Sequence, residues 1–192
     1  LYAGTWLSNI KWIKDTVGAG GKGNVEWDIY GGKRGDIGGG FTYDVGGLYY
    51  YYPGNNYANV GRNANTFELY GQLGYGVSYF KISNAMTNTF GNIDSKNSRY
   101  YDLSSNPEIA GGVILGLHIG HQTINGAPGG VSNSKYSYTD WKVGVSKTFD
   151  SLAGITAGIA YVGTDAPDGS YSSPDGKNLG RSGVVVSVAK TF

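Results

Sequence analysis

A chain of 192 residues suits one domain, and no shift in composition divides it. With 15 Lys and Arg against 14 Asp and Glu, the net charge of +1 leaves no electrostatic footprint for nucleic acid, and the lack of cysteine removes disulfides and thiolate metal sites. Glycine at 34 and tyrosine at 17 disfavour a helical domain, and apolar runs such as Val113 to Leu117 fall far short of the ~20 residues a membrane helix needs.

Alternation with period two recurs along the whole chain, and long helical periodicity does not. Val25, Trp27 and Ile29 alternate with Asn24, Glu26 and Asp28. Phe41, Tyr43 and Val45 alternate with Thr42, Asp44 and Gly46, and Phe67, Leu69 and Leu73 with Glu68, Tyr70 and Gln72. Further on, Leu115, Leu117 and Ile119 alternate with Gly116, His118 and Gly120, and Trp141, Val143 and Val145 with Asp140, Lys142 and Gly144. The pattern predicts about ten strands, near 2–12, 23–33, 37–52, 64–74, 76–84, 97–105, 108–122, 135–149, 153–163 and 181–192. Strands of that length match what a tilted membrane strand requires.

The last strand ends on an aromatic residue. Val184, Val186 and Val188 share one face with Phe192, opposite Gly183, Ser187 and Thr191. A one-faced apolar strand with a terminal Phe is how bacterial outer-membrane barrels usually end, and Val184, Val186, Val188 and Phe192 are the expected assembly signal. The connections agree with that direction. Counted back from Phe192, long and short linkers alternate without a break, from 164–180 (long) and 150–152 (short) to 34–36 (short) and 13–22 (long). An up-and-down antiparallel transmembrane β-barrel is therefore expected. Its C-terminus would be periplasmic and its long loops extracellular.

Outward aromatic residues fall in two bands on this scheme: Phe41, Tyr43, Tyr75, Phe149 and Phe192 at the periplasmic end, and Trp12, Trp27, Tyr49, Tyr51, Phe67 and Tyr161 at the outer end. Such bands match the girdles at lipid headgroup level, although Tyr and Trp also favour strands generally. Expected surroundings are a lipid bilayer and lipopolysaccharide, with outer-membrane assembly machinery as the partner during insertion.

Several segments resemble the TorF-type porin family of bacterial outer membranes. They are Leu1-Tyr-Ala-Gly-Thr-Trp-Leu-Ser-Asn-Ile10, Val25-Glu-Trp-Asp-Ile-Tyr-Gly-Gly32, Phe41 to Gly54, Glu68-Leu-Tyr-Gly71, Tyr138 to Lys147 and Val186-Ser-Val-Ala-Lys-Thr-Phe192. Their order is kept over nearly the whole chain. The resemblance implies a porin-like role without naming a solute. Family members usually carry two further strands before the segment that begins at Leu1, so an intact barrel of about twelve strands is expected.

The motifs that carry chemistry elsewhere lack their context here. Leu117-His-Ile-Gly-His121 has the letters of a nucleotide-binding signature but lies in a strand, with His118 and His121 an odd number of positions apart and on opposite faces. Val17-Gly-Ala-Gly-Gly-Lys-Gly23 lacks the spacing of a phosphate loop and reads as a flexible outer loop. Pro167-Asp-Gly169 and Pro174-Asp-Gly176 are turn signals, with calcium binding the rarer reading. Neither a catalytic constellation nor a metal or cofactor site emerges, although Asp140, His118 and a serine can be assembled on neighbouring strands.

Alternation places Glu26, Asp28, Asp44, Glu68, Gln72, Asp102, His118, Asp140 and Lys142 inside, with Lys81. An acid-rich lumen would favour cations mildly in a passive channel for small polar solutes. The alternatives are a polar interior packed shut, with tyrosine- and asparagine-rich loops binding a surface partner or a second copy, and a soluble β-sandwich that folds without detergent.

Overall fold

The computed structural model describes residues 1–172 and 175–191. Phe192 and Pro174, named above as part of the assembly signal and of a turn, lie outside the described residues. The chain is all-β. One sheet holds β1 (Tyr2–Asn9), β2 (Val25–Gly38), β3 (Phe41–Tyr51), β4 (Thr66–Tyr75), β5 (Ser78–Ala85), β6 (Arg99–Ser105), β7 (Glu108–Ala110), β8 (Val113–Thr123), β9 (Tyr138–Phe149), β10 (Ile155–Thr164) and β11 (Gly183–Ala189). A short helix, α1 (Trp12–Val17), follows β1.

Every pairing is antiparallel and joins sequence neighbours, except that β7 folds back on β8 alone while β6 pairs directly with β8. Among the described residues the sheet is not closed, and β1 and β11 are its two edges. The polar face nevertheless curls upon itself. The Tyr2 hydroxyl on β1 meets that of Tyr70 on β4, across β2 and β3, and the Tyr100 hydroxyl on β6 reaches Asp140 on β9, across β8.

Three local features differ from the expected strands. β2 runs on to Gly38, so the turn is not at 34–36 but at Gly39–Gly40. Gly38, Gly39 and Gly40 all have positive φ, a conformation glycine adopts without steric cost, which moves the reversal past Asp36. The strand expected over 108–122 is cut at Gly111–Gly112, where φ values of 55° and 76° make a two-residue hairpin between β7 and β8. Trp12, expected on a strand face among the outer-end aromatics, instead begins α1; the first strand stops at Asn9.

Long connections (10–24, 52–65, 86–98, 124–137 and 165–182) alternate with short ones along the order of strands, so all the long loops share one end of the sheet. The molecule's core lies there, not beneath the sheet. Ile13, Tyr52 and Ala64 are completely buried, with Ile10, Trp12, Val17, Tyr50, Tyr57 and Phe90 packed against them. The Trp12 ring meets Tyr52 edge-on at 5.4 Å and Tyr57 at 5.3 Å, an arrangement aromatic quadrupoles favour.

Hydrogen bonds stitch each long loop to the next. Asn56 Nδ2 donates to the Gly20 carbonyl at 3.0 Å, and the Lys22 N–H donates to Asn56 Oδ1 at 2.7 Å. The Arg62 N–H donates to the Gly91 carbonyl at 2.8 Å. Asn133 Nδ2 donates to the Ile93 carbonyl at 2.7 Å, and the Tyr171 hydroxyl to the Tyr136 carbonyl at 2.6 Å. Residues 17–23, expected to be a flexible loop, thus belong to a hydrogen-bonded cap.

Candidate functional site

The two faces of the sheet differ in kind. One carries Trp27, Ile29, Leu69, Leu73, Phe80, Leu103, Leu117, Ile119, Val143, Val145, Ile159, Val184, Val186 and Val188, all exposed. Val186 is 73% exposed and Ile119 51%. Monomeric soluble proteins rarely leave so continuous an apolar surface uncovered. Covering Leu69, Leu73, Leu103, Leu117, Ile119, Val143, Val145 and Ile159 alone would stabilise the fold by on the order of 10 kcal/mol.

On this face Phe41, Tyr43, Tyr75 and Phe149 lie towards the short turns, where the Phe41 and Tyr75 rings meet at 4.7 Å. Trp27, Tyr49, Tyr51, Phe67 and Tyr161 lie towards the long loops, where Tyr49 stacks on Tyr51 at 6.0 Å.

The opposite, concave face carries the polar residues. Strand register sets Arg34 beside Asp44, Asp44 beside Gln72, Gln72 beside Lys81 and Lys81 beside Asp102. The row continues through Gly120 to Asp140. Glu26, Asp28 and Glu68 lie nearer the long loops, and Lys142 pairs in register with His118. Nine of the expected interior residues thus share this face with Arg34, Asp36 and Lys81, so among the described residues the carboxylates of Glu26, Asp28, Asp36, Asp44, Glu68, Asp102 and Asp140 outnumber the side chains of Arg34, Lys81 and Lys142.

Two polar clusters occupy the face. In the first, the Tyr2 hydroxyl donates to Asp44 Oδ1 at 2.6 Å and meets the Tyr70 hydroxyl. Arg34 lies 5.3 Å over the Tyr2 ring, and the Lys81 ammonium lies 4.3 Å over Tyr70. These residues line a cavity of about 490 Å³ with Tyr30, Leu48 and Gln72.

In the second cluster His118 is held between two carboxylates, 2.9 Å from Asp102 at Nδ1 and 2.9 Å from Asp140 at Nε2. Tyr100 donates to Asp140 at 3.0 Å and lies 3.1 Å from His118 Nε2, and Tyr79 donates to Asp102 at 3.1 Å. Gly120 leaves room for the Tyr100 hydroxyl, which a Cβ there would strike.

This cluster brings together the serine, histidine and aspartate that sequence could only align on paper. Ser104 Oγ lies 3.0 Å from His118 Nδ1. The geometry does not make it a nucleophile. Ser104 donates instead to Asp102 Oδ1 at 2.6 Å, so its proton is directed at a carboxylate and not at the imidazole that would have to take it as base. Among the described residues no group of three His, Cys, Asp or Glu could hold a metal ion.

Above the clusters the Tyr52 hydroxyl donates to Glu26 Oε2 at 2.7 Å, tying the loop cap to the concave face. Burial, and then the Glu26 carboxylate, hold this phenol above its ordinary pKa range. Burial also raises Tyr57 and Tyr171.

Sequence reasoning missed Arg34, assigned to a turn, and the tyrosines Tyr2, Tyr30, Tyr70, Tyr79 and Tyr100. Each falls on the same alternating positions as the acids it joins, and that parity was the available signal. None of the curated proteins and none of the solved structures matches the chain. A family model described as a bacterial protein of unknown function (Gcw_chp) matches residues 1–192, and the chain belongs to that family.

Proposed function

We propose that the chain is a bacterial outer-membrane β-barrel that lets small polar solutes or ions diffuse passively, with a mild preference for cations. The observation that carries this reading is the division of one antiparallel sheet into an exposed apolar face and a concave face on which, among the described residues, carboxylates outnumber Lys and Arg side chains. A lipid environment covers the first, and a water-filled lumen solvates the second. The single-ended long loops, the two aromatic bands and the motif resemblance to TorF-type porins support the same reading. In it the edges of β1 and β11 face the barrel's seam, the long loops are extracellular and the C-terminus is periplasmic.

Reconstitution in planar bilayers tests the proposal. Discrete conductance steps are expected, with a reversal potential under a salt gradient that indicates cation preference. Asp44→Asn combined with Asp102→Asn should shift that potential towards zero. Silent bilayers would overturn the channel, and a preference for anions would overturn its cation selectivity.

A second reading is favoured by one observation, the hydrogen-bonded cap of all five long loops over the end of the sheet. A barrel so capped would be non-conducting and would present its loops to a surface partner. Silent bilayers from protein that is folded in detergent would favour it.

A further inference from the structure

The apolar face holds a shallow concavity. It has a volume of about 300 Å³ and lies over β5, β6, β8 and β9, walled by Phe80, Tyr101, Leu103 and Ile119. Its end towards the long loops is polar, formed by His121 and Thr139, whose side chains lie 3.1 Å apart. One step further along β6, on the same face, is Arg99.

Arg99 is exposed, its Nε donates to Asn84 Oδ1 at 3.2 Å, and no carboxylate among the described residues pairs with its guanidinium. Asp165, near this lip, is engaged by the Thr139 N–H at 2.5 Å. The register fixes the arrangement. Leu103 and Ile119 form the lower row, Tyr101 and His121 the next, and Arg99 and Thr123 the uppermost.

We propose that this groove binds a phosphate-bearing glycolipid of the outward leaflet, with an acyl chain along Phe80, Leu103 and Ile119 and a phosphomonoester at Arg99 and His121. The chemistry follows from the order of the rows. A strand rises about 3.4 Å per residue, so Arg99 sits two same-face positions, about 14 Å, above the apolar row that Phe80, Leu103 and Ile119 form across three strands. A guanidinium with no carboxylate partner presents a fork that matches phosphate, and the imidazole and the Thr139 hydroxyl add hydrogen-bonding positions beside it. A soluble phosphate has no use for the apolar floor, and a neutral lipid none for the guanidinium. The proposal rests on the membrane-barrel reading and adds a specific lipid to it.

The test is native mass spectrometry of the full chain in dodecylmaltoside micelles, titrated with bisphosphorylated lipid A, with the same lipid dephosphorylated, and with phosphatidylglycerol. Lipid A should bind best. The combined variant Arg99→Gln and His121→Gln should weaken it about tenfold, the loss expected for one charge-assisted hydrogen-bonding site. Ile119→Trp, which fills the groove, should weaken lipid A and its dephosphorylated form alike. Equal binding of all three lipids, or unaltered lipid A binding by the Arg99 and His121 variant, would overturn the site.

Gel migration with and without boiling, read on the same samples, separates the two failures. Heat-shifted migration with no lipid A preference removes this site and leaves the barrel. Absence of a heat shift in a chain that folds without detergent removes the barrel itself.

Discussion

At the residue scale, His118 holds the second polar cluster together. It is one imidazole serving two carboxylates, each at 2.9 Å. Replacing it by leucine would leave Asp102 and Asp140 facing an apolar group in a partly enclosed place. Breaking a buried pair by removing one partner is costly, and the partial exposure of this cluster reduces that cost to about 2 kcal/mol. A lowered urea midpoint for His118→Leu in detergent is expected; an unchanged midpoint would show that water already solvates both acids. The location of Asp102, His118 and Asp140 on one face was legible from parity alone. Their meeting was not, because alternation gives a face but not a register, and here the pairing of Asp102 with Gly120 opens the space through which Tyr100 reaches Asp140.

At the element scale, the cap differs most from the sequence reading. Trp12 looked like the end of a strand because it continues an alternating run. It begins α1 because the run stops at Asn9 and the indole finds Tyr52, Tyr57 and Phe90, which come from two other loops. Trp12→Ala should cost roughly 3 kcal/mol of cap stability, the usual penalty for emptying an aromatic site, and in bilayers it should raise conductance. Loss of near-ultraviolet circular dichroism without loss of the far-ultraviolet strand signal would report the first effect.

The cap should also be sensitive to alkali. Tyr52, Tyr57 and Tyr171 have raised pKa values when folded, so the folded state keeps protons that an unfolded tyrosine loses near pH 10. Their contribution is fully present below about pH 10 and falls as pH rises beyond it. The near-ultraviolet signal should hold to that point and collapse above it; collapse below pH 9 would assign the cap to other groups.

At the scale of the whole molecule, apolar surface is divided between the loop cap and the outside of the strands. The buried hydrophobic residues Ile13, Tyr52, Ala64, Ala85 and Ile124 sit in the loops or at their junctions with strands, while most valines and leucines of the strands, such as Leu69, Leu103, Val143 and Val186, are exposed. A soluble sandwich would invert that distribution. Purified protein should therefore need detergent to stay dispersed, and should migrate differently on a gel before and after boiling. A chain that remains monomeric in plain buffer would sink the barrel and leave an open sheet whose apolar face needs some other cover.

Period-two alternation, the segregation of loop lengths and the parity of the charged residues all reside in local sequence. An all-β antiparallel meander with one apolar and one polar face could be read from them, because each strand's side-chain direction depends only on its own backbone pleat. The hairpin at Gly111–Gly112, the row from Arg34 to Asp140, the two polar clusters and the stitched cap could not. They depend on register and on contacts between residues tens of positions apart, such as Asn133 with Ile93 and Tyr2 with Tyr70. Those contacts form only when strands have aligned and the sheet has curled, so the tertiary fold alone chose which polar residues meet and what covers the end of the sheet.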